Sequence, residues 1–152
     1  MRLILMFLIT ALLCAAPGSA VCGTAAPETL EQAMSDTLDL WREGRFGPLF
    51  DRLAHRGRTS REQFIRIMTE TAVRPACCFQ KLQQFRVLNE KRTEATVYAT
   101  VGLEGGQGSP GSCSREFRLT HEEQVWKMQL ADVLSISGAS KGKHAGRKAR
   151  RN

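Results

Sequence analysis

The hydrophobic period of this chain changes once, and that change limits its architecture more than any other feature. As far as Arg74 the apolar residues recur every three or four positions, the spacing of one helix face; from Phe79 onward they recur every second position, the spacing of one strand face. Pro27-Glu28 opens the helical part, with Glu28 and Glu31 suited to the positive end of a helix dipole. Leu30, Met34, Leu38 and Trp41 form one stripe, and Gly44 is placed to stop the helix. A short piece from Pro48 to Leu53 follows. Thr59 with Glu62, or Ser60 with Gln63, then makes a capping box. The helix it opens carries Phe64, Ile67, Met68 and Thr71 on one face and ends at Arg74-Pro75, because the residue before proline avoids helical angles.

In the second part, Ala95, Val97, Ala99, Val101 and Leu103 alternate with Thr96, Tyr98, Thr100 and Gly102. Phe117 and Leu119 alternate with Glu116, Arg118 and Thr120, and Trp126, Met128, Leu130, Leu134 and Ile136 share one parity in a last strand. Asn89 to Arg92 and His121 to Gln124 are the hairpin turns, and no segment repeats. The layout is α+β: two to three N-terminal helices packed on one face of a curved four-stranded antiparallel sheet.

What precedes the helices belongs to neither part. Met1-Arg2 is a short basic start, Leu3 to Leu13 is apolar but for Thr10, and Ala15-Ala16-Pro17-Gly18-Ser19-Ala20 supplies small residues and a helix breaker. This is the plan of a secretory signal peptide, and its apolar run is well short of the ~20 residues that span a bilayer. Cleavage after Ala20 divides the chain into a leader (1–20), one α+β domain (21–137) and a tail (138–152). The expected location is periplasmic or secreted. A lipoprotein fits less well, because Val21 before Cys22 and Leu13 before Cys14 are not the small residue that lipidation sites carry. No later segment is long and apolar enough to cross a membrane.

The formal net charge of +7 over 152 residues invites an anionic partner until the charge is located. Lys141, Lys143, Arg147, Lys148, Arg150 and Arg151 sit in the tail and Arg2 in the leader; without these seven, fifteen basic residues face fifteen acidic ones. The domain is neutral, which argues against a nucleic-acid grip by its folded part. Ser137-Gly138-Ala139-Ser140 leads into a glycine-broken, non-amphipathic tail that is expected to be disordered. It either solubilises the protein or attaches it to an anionic surface, at about 1 kcal/mol per cation.

Export gives the cysteines a meaning. Cys22, Cys77, Cys78 and Cys113 remain after cleavage, an even count that favours disulfides in an oxidising compartment. Adjacent Cys77 and Cys78 do not easily pair with each other, which leaves two pairings. A Cys78–Cys113 bond would close a loop of about 35 residues and stabilise by about 4 kcal/mol in the chain-entropy model. Zinc is not expected, since ligand pairs spaced like C-x-x-C or H-x-x-x-H are lacking.

Three stretches carry a resemblance. Leu38-Asp39-Leu40-Trp41-Arg42-Glu43-Gly44-Arg45-Phe46, with Leu49-Phe50 beyond it, is a helix ending in a glycine turn before a short second helix; Thr59-Ser60-Arg61-Glu62-Gln63-Phe64 is a capped third helix; Glu123-Gln124-Val125-Trp126-Lys127-Met128 is a tight turn into a strand whose tryptophan plugs the core. With the element order from Glu28 to Ile136, they make the chain resemble the nuclear transport factor 2-like superfamily, a cone-shaped (cystatin-like) α+β fold. That resemblance implies the fold more than an activity, because the superfamily holds ketosteroid isomerase-like and dehydratase-like enzymes as well as exported domains without assigned chemistry.

In those enzymes acids, a tyrosine or a histidine line an apolar cone and act by general acid–base catalysis. Asp132 shares the parity of Trp126, Met128 and Leu130, so an unbroken strand aims it into the cone, where burial would raise its pKa; a bulge near Ala131 would turn it outward. Tyr98, the only tyrosine, falls on the outer sheet face and suits a dimer interface. His55 sits in a basic connector before the capped helix, His121 in a turn and His144 in the tail. No nucleophile lies on a recognisable elbow. Gly106-Gln107-Gly108-Ser109-Pro110-Gly111 matches G-x-G-x-x-G, but a strand follows where the dinucleotide fingerprint needs a helix, so it is a loop and no cofactor is expected.

With one arguable catalytic group where an enzyme needs at least two, the expected function is a non-catalytic binding or accessory domain. It would take a small apolar molecule in the cone or a protein partner on the sheet face. The alternatives are an acid–base isomerase or lyase using Asp132, and an envelope protein held through its basic tail.

Overall fold

The computed structural model describes residues 28–105 and 111–139. The leader 1–20, Cys22, most of the glycine-rich loop and the six tail cations from Lys141 to Arg151 lie outside the described residues.

The helices form on the expected stripes with different ends: the first begins at Leu30 and not at Pro27-Glu28, and the capped one stops at Glu70, four residues before Arg74-Pro75. Helix α1 spans Leu30–Arg42; Thr29 caps it, its hydroxyl accepting the Gln32 N–H at 3.1 Å, and Leu30, Met34, Leu38 and Trp41 are buried with Ala33 and Thr37. Gly44 follows at φ +72, the left-handed turn that lets the chain reverse. Helix α2 spans Phe46–Asp51 and buries Phe46, Leu49 and Phe50. Pro48 is tolerated there because first-turn N–H groups have no intrahelical acceptor. Strand β1, Leu53–Ala54, precedes helix α3, Arg61–Glu70, where Ser60 supplies the cap to Gln63 at 3.2 Å and Phe64 and Met68 are buried.

Strand β2 is Arg74–Pro75, and a single 3-10 turn over Cys78–Gln80 leads to β3, Leu82–Glu90. Strands β4, Glu94–Glu104, β5, Gly111–Glu122, and β6, Val125–Gln129, complete an antiparallel meander with β3. Glu123 and Gln124, at φ 53 and 65, make the two-residue turn between β5 and β6 whose twist matches the flanking strands.

The fold is α+β, with a curled, half-barrel sheet. It differs from four antiparallel strands in two additions. Strand β1 runs parallel to β6, Leu53 opposite Met128, and β2 pairs with β4 beyond β3, Pro75 opposite Leu103. Both additions are two residues long, too short to express a period, and tertiary contact alone makes them strands. Ala95, Val97, Ala99 and Val101 of β4, Phe117 and Leu119 of β5, and Trp126 and Met128 of β6 face the helices. Trp41, Phe64, Phe117, Met34, Leu49 and Met68 are fully buried among them.

Two expectations are corrected. The last strand does not run to Ile136: it ends at Gln129, and Leu130–Ile136 form helix α4, burying Leu130, Val133 and Ile136. Leu130, Leu134 and Ile136 satisfy a strand parity, but with Val133 they also satisfy helical spacing, and so short an apolar run does not separate the two. Further, Cys77 and Cys78 are bonded to each other, with Cys78 at φ 59, whereas the sequence argued against that pairing. Cys113 is unpaired among the described residues; it lies opposite Val101 on β5, facing the core, with β4 between it and the edge segment that holds Cys77 and Cys78.

Candidate functional site

The face of the sheet turned away from the helices is polar. Across it Arg86, Tyr98 and Glu116 stand side by side on β3, β4 and β5, the Arg86 guanidinium 4.9 Å from the centre of the Tyr98 ring. Thr100 and Ser114 share a hydrogen bond of 2.8 Å one pair further along. Tyr98 is half-buried on this outer face, in the position its parity assigns. At the far end Lys127 is nearly buried, held by Glu123 at 3.1 Å and Glu122 at 3.4 Å.

Towards the β3–β4 turn this face hollows into a groove of about 460 Å³ lined by His55, Lys91, Glu94, Thr96, Arg118 and Gln129 among others. The β1–β6 pairing builds it: Ala54 lies opposite Gln129, so the next residue, His55, is delivered to its rim. His55 holds φ 48 and is exposed. Gln129 donates to Thr120 Oγ1 at 3.2 Å. Among the described residues no ion pair engages Arg86, Lys91 or Arg118, so the groove and the surface beside it present cations free to meet a partner.

Asp132 is not in the cone. The turn into α4 places it in that helix's first turn, where its carboxylate, 13% exposed, pairs with Arg115; Arg115 also donates to Ser135 Oγ at 3.1 Å. Burial pushes the Asp132 carboxyl above its ordinary pKa, opposed by the Arg115 charge, then the Arg118 backbone N–H and the Arg118 charge. Around it lies a second depression of about 400 Å³ lined by Arg115, Glu116, Arg118, Gln129, Ala131 and Asp132. Arg118 and Gln129 line both hollows and stand as a wall between them. His55 is on one side of that wall and Asp132 on the other, and Tyr98 lines neither hollow, so the three candidates are not brought together.

Arg115, Arg118 and Gln129 were missed by the sequence reading. Arg115 and Arg118 have opposite parities on one strand, and only register shows that both reach the break between β6 and α4. Among the described residues no three His, Cys, Asp or Glu side chains gather as a metal site, and no helix is long and apolar enough to cross a membrane.

Fold and hollows together define an α+β domain with a buried apolar core and a polar, grooved outer sheet face. No protein-family model and no curated protein matches the chain.

Proposed function

We propose that the chain is an exported, non-catalytic binding domain of nuclear transport factor 2-like plan that recognises a protein partner with the outer face of its sheet. The observation that carries this reading is the contrast between the two faces. The helix-facing side is packed with side chains such as Trp41, Phe64 and Phe117 that leave no exposed surface, whereas the outer side offers Tyr98, unpaired cations and an open groove. That contrast favours a protein partner over a small apolar ligand within the cone. Tyrosine and arginine are among the residue types that carry much of the binding energy at partner surfaces.

Acid–base catalysis by Asp132 is the second reading, and the raised pKa of a largely buried carboxyl favours it. Its ion-pair partner is Arg115, a cation that cannot exchange a proton near neutral pH, and the other carboxyl lining the same depression is Glu116. Attachment of the protein to an anionic surface through Lys141 to Arg151 is compatible with either reading.

A photo-crosslinking amino acid in place of Tyr98, in protein produced by an exporting host, tests the proposal. The expected result is a mature chain beginning at Val21 and one discrete protein adduct, absent when the same group replaces Glu31 on α1. No adduct at position 98, together with an apolar molecule released from the purified domain by organic solvent, would overturn it in favour of a cone ligand.

A further inference from the structure

One line of polar side chains crosses the outer face of the sheet at the level of the larger hollow. Asn89 of β3 lies opposite Thr96 of β4, and Thr96 lies opposite Arg118 of β5. Gln129 follows Met128, the partner of Leu119, so on β6 it stands beside Arg118. It lies in turn opposite Ala54, the last residue of β1, and His55 closes the line. All five residues line the groove of about 460 Å³, a volume suited to a small molecule. Lys91 and Glu94, joined by the Lys91 N–H and the Glu94 carbonyl at 2.8 Å, stand at its β3–β4 end.

The line is set in place by bonds that leave its groove side open. The Arg118 backbone N–H is held by the Asp132 carboxylate in the neighbouring depression. The Gln129 amide nitrogen donates to Thr120 Oγ1 at 3.2 Å, which leaves its Oε1 as an acceptor. The turn carrying His55 is tied by Arg56, whose guanidinium donates to the Leu53 carbonyl at 2.9 Å and the Asp51 carbonyl at 2.7 Å. Among the described residues the side chains of Asn89, Thr96 and Arg118 make no hydrogen bond. The groove thus offers an arginine fork, a hydroxyl and a primary amide on a rigid sheet.

The lining selects the chemistry of a ligand. Arg118 and Lys91 are opposed by Glu94 alone, so with His55 neutral the lining carries two cations less one anion, a net charge of +1. One negative charge matches it, and a planar carboxylate presents two oxygens to the arginine fork. A phosphate dianion would bring a second charge against Glu94. The apolar residues of the lining, Ala95 and Leu119, are buried with the helix-facing core, so the surface a ligand meets is polar. An alkyl chain laid there would desolvate amides and hydroxyls without replacing their bonds, whereas ligand hydroxyls replace them.

We propose that this groove binds a small hydroxylated monocarboxylate of the sugar-acid class, its carboxylate on Arg118 and Thr96 and its hydroxyls on Asn89, Gln129 and His55. The ligand is additional to the protein partner proposed for this face, and the adduct expected at Tyr98 stands or falls separately.

The probe is sodium gluconate, titrated at pH 7 and constant ionic strength into the isotope-labelled full chain and followed by NMR. The expected result is saturable binding in the millimolar range, with shifts at the Arg118 Nε–H and at the Asn89 and Gln129 side-chain amides. Arg118→Gln should weaken binding roughly tenfold or more, the worth of a hydrogen bond to a charged group. Thr96→Val, which keeps the shape of the side chain and suits a strand, should weaken it about threefold. Hexanoate, which has the same number of carbons and no hydroxyls, and inorganic phosphate should each bind roughly tenfold more weakly than gluconate. The absence of saturable shifts in the groove, or an unchanged affinity in either variant, would overturn the site. Hexanoate or phosphate binding as tightly as gluconate would overturn the ligand class.

Discussion

Gly102 is the position where one added methyl group has the most legible consequence. It faces the arch of residues 76–81, which crosses the edge of β4 between β2 and β3. A Cβ at Gly102 would lie 2.2 Å from the Gln80 carbonyl oxygen and 3.2 Å from Ala76 Cβ. The first neighbour is backbone, so the arch itself must lift. It is held by two backbone hydrogen bonds, Ala76 N–H to Gly102 O at 2.8 Å and Gly102 N–H to Lys81 O at 3.2 Å. Losing both costs roughly 1–3 kcal/mol. Replacing glycine by alanine returns about 0.4–1 kcal/mol by restricting the unfolded chain. The net expectation for Gly102→Ala is a loss of about 1–2 kcal/mol. Gly111, at the start of β5, is the matched control: among the described residues nothing lies within 4 Å of an added Cβ there, so the unfolded-state gain is what remains. Urea unfolding of the two variants should therefore move the midpoint in opposite directions at unchanged slope. A neutral or stabilising Gly102→Ala would refute the packed arch as the reason for glycine at this position.

Two further predictions concern charge. Because burial raises the Asp132 pKa on folding, the folded state holds that proton more tightly than the unfolded one. Its contribution is fully present below the unfolded pKa and is lost as pH rises through the folded pKa. The stability of the wild type relative to Asp132→Asn, measured by urea unfolding, should thus improve as the pH falls from 7 through the carboxylate range; a shift the other way would show that the Arg115 pair outweighs burial. Cutting the chain after Ser140 should leave the melting temperature nearly unchanged and abolish binding to anionic vesicles. Binding of the full chain should weaken as salt shortens the Debye length from ~10 Å at 0.1 M towards ~3 Å at 1 M.

Features set by local chemistry were legible in the sequence. The Leu30–Trp41 stripe, the Ser60 cap and the β4 alternation each depend on neighbours a few positions away, and each forms as read. Features set by distant partners were not. Leu53–Ala54 becomes a strand only because β6 lies beside it, and Leu130–Ile136 becomes a helix although its apolar residues also satisfy a strand. Of the site candidates, Tyr98 was placed by parity alone. His55 needed the β1–β6 pairing to reach a groove, and Asp132 changed surroundings when its strand became a helix. Arg118 carried no signal at all, since an arginine on the polar side of a strand is unremarkable until register shows two hollows meeting at it.

The parallel pairing of β1 with β6 also bears on when this protein can fold. Strands β3 to β6 are joined by hairpins and can pair as soon as each is made, but Leu53 must wait for Met128. Until then the apolar stripes of α1 and α3 have no sheet to cover them, and a contact between such distant positions is slow to close. A chain emerging from the ribosome therefore keeps its helical half open until nearly the whole domain has been synthesised. Under the proposed export, that delay would keep the chain threadable while an N-terminal address is read.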